Sequence, residues 1–338
     1  MTTSLPRLLI TMGDVAGIGP EIIARGWPGL LTVCQPIVVG DPGWLEWALW
    51  QVGSKSRVEE IGDPRAATPT TDRLPCVPGS KLDLRHVLTG KVCAEAGLAA
   101  YEFLCTAIER TLAGEAAGIV TAPLNKEGLR AAGLSYPGHT EILAEQTGTT
   151  HYGMMLFGHG MGVVHVTLHM ALRDVFAHLQ PEAVIEKIRL LAEILPRLQG
   201  RRPRIGVAAL NPHASDGGLF GDEEERIIGP AVKAAQEEGI DVTGPWPADT
   251  LFLRARKGGF DGVVAMYHDQ GHIALKLLGP WELVNITVGL PLVRTSVAHG
   301  TAYDIAGKGL ADPSSLIEAA RVAALLAANP VGVVTTSQ

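Results

Sequence analysis

The chain has 338 residues, 46% of them hydrophobic, and a formal net charge of −7 with no basic block. That length suits two domains of about 150 residues with substantial cores, and the acidic balance argues against a nucleic-acid or anionic-membrane surface. No apolar run approaches a membrane span, residues 1–10 lack an export signal, and Cys34, Cys76, Cys93 and Cys105 show no Cys-x-x-Cys spacing, so a cytoplasmic chain with free thiols is expected.

Leu8-Leu-Ile-Thr11 reads as the first strand, and Pro20 then suits the opening turn of a helix containing Glu21-Ile-Ile-Ala24. A second strand is expected over 36–39. Residues 53–80 are rich in Pro, Thr, Asp and Arg and read as an irregular loop. A long helix is expected over about 92–112 and a strand over 118–121. The runs 162–168, 204–210 and 262–267 are apolar, bounded by Gly, Pro and polar residues, and read as buried strands. From Pro181, Val184, Ile188, Leu191 and Leu195 recur on one helical face. A helix over about 223–238 starts with acidic residues, which suits the positive end of its dipole. This alternation argues for a mostly parallel sheet covered by helices. No repeat and no low-complexity linker marks a border, so the domains are expected to interleave, with both termini in one of them.

Three histidines each follow one of the later apolar runs: His169, His213 and His268. Ligands of open α/β sheets bind beyond the carboxyl ends of the strands. Three imidazoles delivered there suit one divalent metal with a position left open for substrate. A lone histidine is more often a surface or satisfied core group, and His151, His159, His165 and His178 lack the strand-end position that singles out the other three.

Gly13, Gly17 and Gly19 lie between the first strand and helix, but they lack the Gly-x-Gly-x-x-Gly spacing. A structural turn near the cleft is expected there rather than a dinucleotide fingerprint. Gly138-His-Thr-Glu141 reads as a helix start, with His139 and Thr140 either at an anion site or in a plain cap. Lys276, Asn285 and Arg294 combine cations with an amide donor, which suits a phosphate or carboxylate. Solvation is the plain alternative, except that Arg294 sits in an apolar run where a charge needs a partner. Asp249 reads as a helix cap or as a group supporting the metal ligands. Over 299–313, glycines let the backbone approach a flat ring, and Asp304 is placed to accept from hydroxyls.

Together these segments resemble the 4-hydroxythreonine-4-phosphate dehydrogenase family of vitamin B6 biosynthesis. The matching pieces are Ile10-Thr-Met-Gly-Asp14 with Gly17-Ile-Gly-Pro-Glu21, Thr121-Ala-Pro-Leu-Asn-Lys126, Gly138-His-Thr-Glu141, Leu210-Asn-Pro-His-Ala214, Pro247-Ala-Asp-Thr250, Met266-Tyr-His-Asp-Gln-Gly271, and the stretch from Val284 through Arg294 to Thr301. They run in family order over almost the whole chain. The segment after His299 is also similar to the adenosine-binding loop of isopropylmalate and isocitrate dehydrogenases.

The resemblance implies a two-domain isopropylmalate-dehydrogenase-like α/β fold, not a Rossmann fold. It implies an NAD-side domain of residues 1–125 plus 300–338, and a substrate, metal and dimerisation domain of 126–299. It further implies a homodimer with the active site at the interface, and one divalent metal (Zn, Mg, Mn or Co) held by His169, His213 and His268 from both subunits. His139, Thr140, Lys276, Asn285 and Arg294 would bind a phosphorylated substrate. NAD would lie along His299, Gly300, Thr301 and Asp304. Lys126 and Asp249 are the candidates for proton transfer or for supporting the metal ligands.

The implied reaction is oxidation of 4-hydroxythreonine 4-phosphate followed by decarboxylation of the 3-keto acid. Val15 stands where the family usually has proline. The stretches 124–140 and 211–224 look more like a paralogous branch acting on D-threonate or D-erythronate 4-phosphate, which would give dihydroxyacetone phosphate. A further relative oxidises aromatic cis-dihydrodiol dicarboxylates. These alternatives differ in what sits on the carbon beside the carboxylate.

Overall fold

The computed structural model describes residues 5–279 and 282–329. The chain divides into two compact units, one running to Thr150 and again over Leu290–Ala328, the other over His151–Gly289. In chain order the first unit begins with β1 (Arg7–Thr11), α1 (Gly19–Val33), β2 (Gln35–Gly40), α2 (Pro42–Gln51), β3 (Arg57–Glu60), β4 (Arg73–Pro78), α3 (Ala94–Leu112), β5 (Gly118–Thr121), α4 (Lys126–Ala131) and α5 (His139–Thr147). The second unit holds β6 (Gly153–Gly158), β7 (Met161–His165), α6 (Val175–His178), α7 (Pro181–Gln199), β8 (Ile205–Ala208), α8 (Gly229–Glu237), β9 (Val242–Trp246), α9 (Ala248–Arg256), β10 (Gly262–Ala265), α10 (His268–Lys276) and β11 (Val284–Val288). The first unit is completed by β12 (Val293–Val297) and α11 (Ser314–Ala328).

In the first unit the strands lie in the order β3-β4-β2-β1-β5-β12, all parallel. The inner strands are buried along their length, which is why they read as continuous apolar runs rather than alternating ones. Leu9 pairs with Ile37 on one side and Ile119 on the other. From β1 the chain builds outward to β2 and β4, then returns to place β5 on the opposite side of β1. The carboxyl ends of β1 and β5 therefore form a topological switch point, where open α/β sheets bind ligands. The order also differs from the 3-2-1-4-5-6 arrangement of Rossmann domains.

In the second unit the order is β11-β6-β7-β10-β8-β9. β11, β6 and β7 pair antiparallel, and β7, β10, β8 and β9 pair parallel. His159 and Gly160 join β6 to β7 with φ values of 52° and 74°. Two residues at positive φ give the turn twist that a tight hairpin needs. α7 buries Val184, Ile188, Leu191 and Leu195, the face its spacing predicts. Among the described residues no helix is long and apolar enough to cross a membrane.

Several expectations differ from this architecture. The stretch 53–80 contains β3 and β4. β3 is a short, mostly exposed edge strand of Arg, Val and Glu, and β4 carries prolines that read as breakers. The helix expected over 223–238 opens with a π-turn over Glu224–Ile228 before α8. β7 stops at His165, four residues before His169. The border expected near residue 125 also differs from the observed division, because α4 and α5 pack on α3 of the first unit.

Candidate active site

In the second unit, a pocket of about 610 Å³ is lined by His169, Met170, Leu172, Tyr267, His268 and Asp269 among others. His268 is the first residue of α10, three residues beyond the end of β10. Its Nδ1 lies 2.6 Å from Asp269 Oδ1, a contact that suits the tautomer with its proton on Nδ1 and its Nε2 lone pair open to an ion. A carboxylate on the far nitrogen is the usual support for a metal-binding imidazole. The His169 and His268 ring centroids are 5.9 Å apart. Two imidazoles sharing one tetrahedral ion at a bond length of about 2.0–2.1 Å have centroids about 5.2 Å apart, so this pair would share an ion after closing by about 0.7 Å. Among the described residues no group of three or more ligating side chains forms. His213, whose ring lies 6.5 Å from that of Phe220, is not gathered with the other two.

Two histidines that the spacing argument passed over join His268 instead. His272, one helical turn on, stacks on it at 3.8 Å and 11°. His165, at the true end of β7 and 1% exposed, approaches His272 Nδ1 at 3.2 Å through Nε2. Burial and the neighbouring imidazoles push His165 down to about 3 and His272 to about 4, so both are neutral at pH 7. Gly271 makes room for them: a Cβ there would sit 2.4 Å from His165 Nε2. The available signal was the i, i+4 spacing of His268 and His272, which a helix would bring to one face.

His213 enters on a distinctive backbone. His213, Ala214, Ser215 and Asp216 have φ values of 55°, 55°, 68° and 48°. Each non-glycine residue in the left-handed region costs about 1–2 kcal/mol, so the turn persists only if its surroundings enforce it. Glu224, 5% exposed, does so. Its Oε1 accepts from the Leu210 and Asn211 backbone N–H groups at 2.8 and 2.7 Å, and its Oε2 accepts from Asn211 Nδ2 at 2.9 Å and from Ser215 Oγ. Burial alone would raise the Glu224 carboxyl, but these donors bring it below its usual value.

The first unit gathers a second set at its switch point. Arg294 on β12 is 2% exposed and donates to Thr121 Oγ1, at the end of β5, at 2.7 Å. Burial pushes the guanidinium down to about 9, with Glu141 acting in the opposite direction. Burial and the Arg294 charge hold His139 well below the usual histidine value, so its imidazole is neutral at pH 7. α5 begins at His139 with Gly138 as its N-cap and no side-chain cap, so Thr140 does not cap it. Uncapped first-turn N–H groups beside a buried cation suit an anion. Lys126, exposed at the start of α4, reaches toward Gly138: its Cε lies 4.0 Å from where a Gly138 Cβ would stand.

The segment after β12 is pinned to the same turn. Ile18 N–H donates to Thr301 O at 3.0 Å, and Gly17 lets Thr301 come that close. Tyr303 donates to the buried Asp14 at 2.6 Å. Burial raises the Asp14 carboxyl, offset in part by Tyr303 and the Ala16 N–H. Gly13, at φ +67°, allows this turn against Pro123 O, which would lie 2.2 Å from a Cβ. The glycines thus serve a structural strand-to-helix turn, as their spacing indicates. A Cβ on Gly300 would meet nothing within 4 Å, so the chain at that residue borders open space. His299 Nδ1 faces Gly300 O at 3.0 Å, and Asp304 is exposed.

The remaining expected site residues lie in the second unit. Asp249 is exposed in the first turn of α9, whose N-cap is Pro247, so it is not a capping side chain. Lys276 is exposed in the last turn of α10. Asn285 lies on β11 opposite Leu156, and its Oδ1 is buried with no hydrogen-bond partner among the described residues. A buried orphan acceptor is the kind of atom that a ligand satisfies.

The family model described as "Pyridoxal phosphate biosynthetic protein PdxA" matches residues 32–323. A 4-hydroxythreonine-4-phosphate dehydrogenase from Beijerinckia indica is 50% identical over 309 residues, 91% of each chain. A D-threonate 4-phosphate dehydrogenase from Cupriavidus necator is 47% identical over 331 residues, 97% of this chain and 99% of the relative. The crystal structure of a 4-hydroxythreonine-4-phosphate dehydrogenase from Klebsiella pneumoniae is similar with a TM-score of 0.87 at 43% identity, covering 95% of this chain and 99% of that one.

Proposed function

The chain belongs to the PdxA family, whose relatives named above are dehydrogenases, and we propose that it oxidises the C3 alcohol of 4-hydroxythreonine 4-phosphate with NAD and a divalent metal and releases carbon dioxide from the product. The observation that carries this reading is the buried Arg294 beside a neutral His139 at the uncapped start of α5. A buried guanidinium beside uncapped helix N–H groups suits a phosphate, which matches it with paired acceptors.

In the proposed reaction the C3 carbon gives up its hydrogen with the electron pair, for which NAD, when bound, would be the acceptor, and the hydroxyl proton passes to a base. The C1–C2 bond of the 3-keto acid then breaks, its electrons forming an enolate that is protonated at C2. His139 donates an N–H to the phosphate and Arg294 its fork, while Thr140, Lys276 and Asn285 complete the substrate contacts. His169 and His268 would hold the ion, and His213 would be the third ligand in a homodimer whose partner completes the site. When bound, that ion supplies Lewis acidity for the alcohol and the enolate. Lys126 and Asp249 move the protons. The backbone over His299, Gly300 and Thr301 receives the dinucleotide, and Asp304 takes its ribose hydroxyls. A cytoplasmic location fits this chemistry.

A second reading has a specific support: the D-threonate 4-phosphate dehydrogenase matches more of the chain at nearly the same identity. It replaces the C2 amine by a hydroxyl and keeps every other role. The test is NADH absorbance with 4-hydroxythreonine 4-phosphate, D-threonate 4-phosphate, D-erythronate 4-phosphate and an aromatic cis-dihydrodiol dicarboxylate. Turnover of the first at the highest kcat/KM supports the proposal. Preference for a sugar acid moves the chain to the second reading, and turnover of the unphosphorylated diol alone overturns both.

A further inference from the structure

We infer that Glu224 is a positioning residue that holds the left-handed turn over residues 213–216 and thereby aims the His213 imidazole; this deepens the metal-dependent reading above and rests on it. Four successive non-glycine residues at positive φ are held by one buried carboxylate. Its two oxygens take the N–H groups at the entrance to the turn, Leu210 and Asn211, and the Ser215 hydroxyl inside it. Ser215 Oγ lies 2.7 Å from Gly221 O, tying the turn to the strand of chain that leads back to Glu224. Glu223 adds a second carboxylate on Asn211 Nδ2 at 2.7 Å. Glu224 does not touch His213 itself. It acts by fixing the backbone from which that imidazole projects.

Arrangements behind a metal ligand change affinity by about 10–100-fold when removed. The experiment uses the metal-stripped full-length protein titrated with Co²⁺, together with backbone hydrogen exchange. Glu224→Ala is expected to weaken Co²⁺ binding by about 10–100-fold and to expose the Leu210 and Asn211 amides to fast exchange. Glu224→Gln, whose side-chain oxygen still accepts from both amides, is expected to lose less and to guard against a variant that fails to fold. In a His213→Ala background, Glu224→Ala should weaken Co²⁺ little further, because the ligand it aims is gone. Unchanged affinity and unchanged amide protection in Glu224→Ala would overturn the inference. So would a full additional loss in the His213→Ala background. If His213→Ala alone leaves Co²⁺ affinity unchanged, the metal reading fails, and the exchange of Leu210 and Asn211 then decides the positioning claim by itself.

Discussion

Replacing Arg294 by methionine separates function from stability at one position. Arg294 is buried, and burial pushes its guanidinium from the usual arginine value down to about 9. At about 1.4 kcal/mol per unit, this is about 5 kcal/mol against the charged form in the fold. At pH 7 the group is charged in both folded and unfolded chains, so the folded state carries that cost. The charged hydrogen bond to Thr121 returns about 1.5–3 kcal/mol. These terms leave about 2–3.5 kcal/mol against the charged residue before its further contacts are counted, so Arg294→Met is expected to leave stability unchanged or to raise it by up to about 3 kcal/mol, as is common when a buried charge gives way to an apolar side chain of similar volume. Loss of a charge-assisted contact to a phosphate removes about 1.5–3 kcal/mol from substrate binding, or about 10–150-fold in kcat/KM. Thermal unfolding and initial-rate NADH absorbance measure the two effects on one preparation, with an unphosphorylated analogue as the control. A large fall in Tm, with equal loss on both substrates, would refute the argument and make Arg294 a structural ion-pair member.

Other outcomes follow from the same geometry. Gly271→Ala drives a Cβ into His165 and Val163, so stability should fall by about 1–3 kcal/mol; chemical denaturation at pH 7 measures it, and an unchanged midpoint would show that the histidine cluster has slack. Asp269→Asn weakens the acceptor that fixes His268 Nδ1, so metal affinity should drop by about 10–100-fold, read by chelator competition, whereas equal affinity would remove Asp269 from that role. Asp261 is held below its usual carboxyl value: burial raises it, but Arg201 and Arg204 outweigh that. Its folded value lies below its unfolded one, so its contribution is full above the unfolded value near 3.9 and disappears as pH falls through the folded value. Wild-type stability should therefore fall more steeply below pH 4 than that of Asp261→Asn; parallel acid-unfolding curves would contradict this.

Much of the fold was readable because parallel strands buried on both faces are unbroken apolar runs. β1, β7, β8 and β10 have that character, and the segments after β7, β8 and β10 carry the candidate ligands. The edge strands were not readable, since Arg57-Val-Glu-Glu60 has neither an apolar run nor a buried face. Within the site, Arg294 stood out as a charge inside an apolar run, and its burial against Thr121 explains that placement. His165 was hidden for the opposite reason: inside an apolar run it reads as filler, and only the packing of α10 on β7 brings His272 to it. The support of His213 was invisible as well. The left-handed residues are His, Ala, Ser and Asp, none of which announces that backbone, and Glu224 reaches the turn from thirteen residues beyond Asn211.

The central claim is that this chain couples an alcohol oxidation to loss of carbon dioxide through an ion held by its histidines. The most direct test strips the protein of metal, restores it with one divalent ion, and follows NADH and carbon dioxide together from 4-hydroxythreonine 4-phosphate or D-threonate 4-phosphate. The account predicts no turnover without the ion, and equal yields of NADH and carbon dioxide with it. Full activity in the metal-free protein, or NADH formed without carbon dioxide, would contradict it.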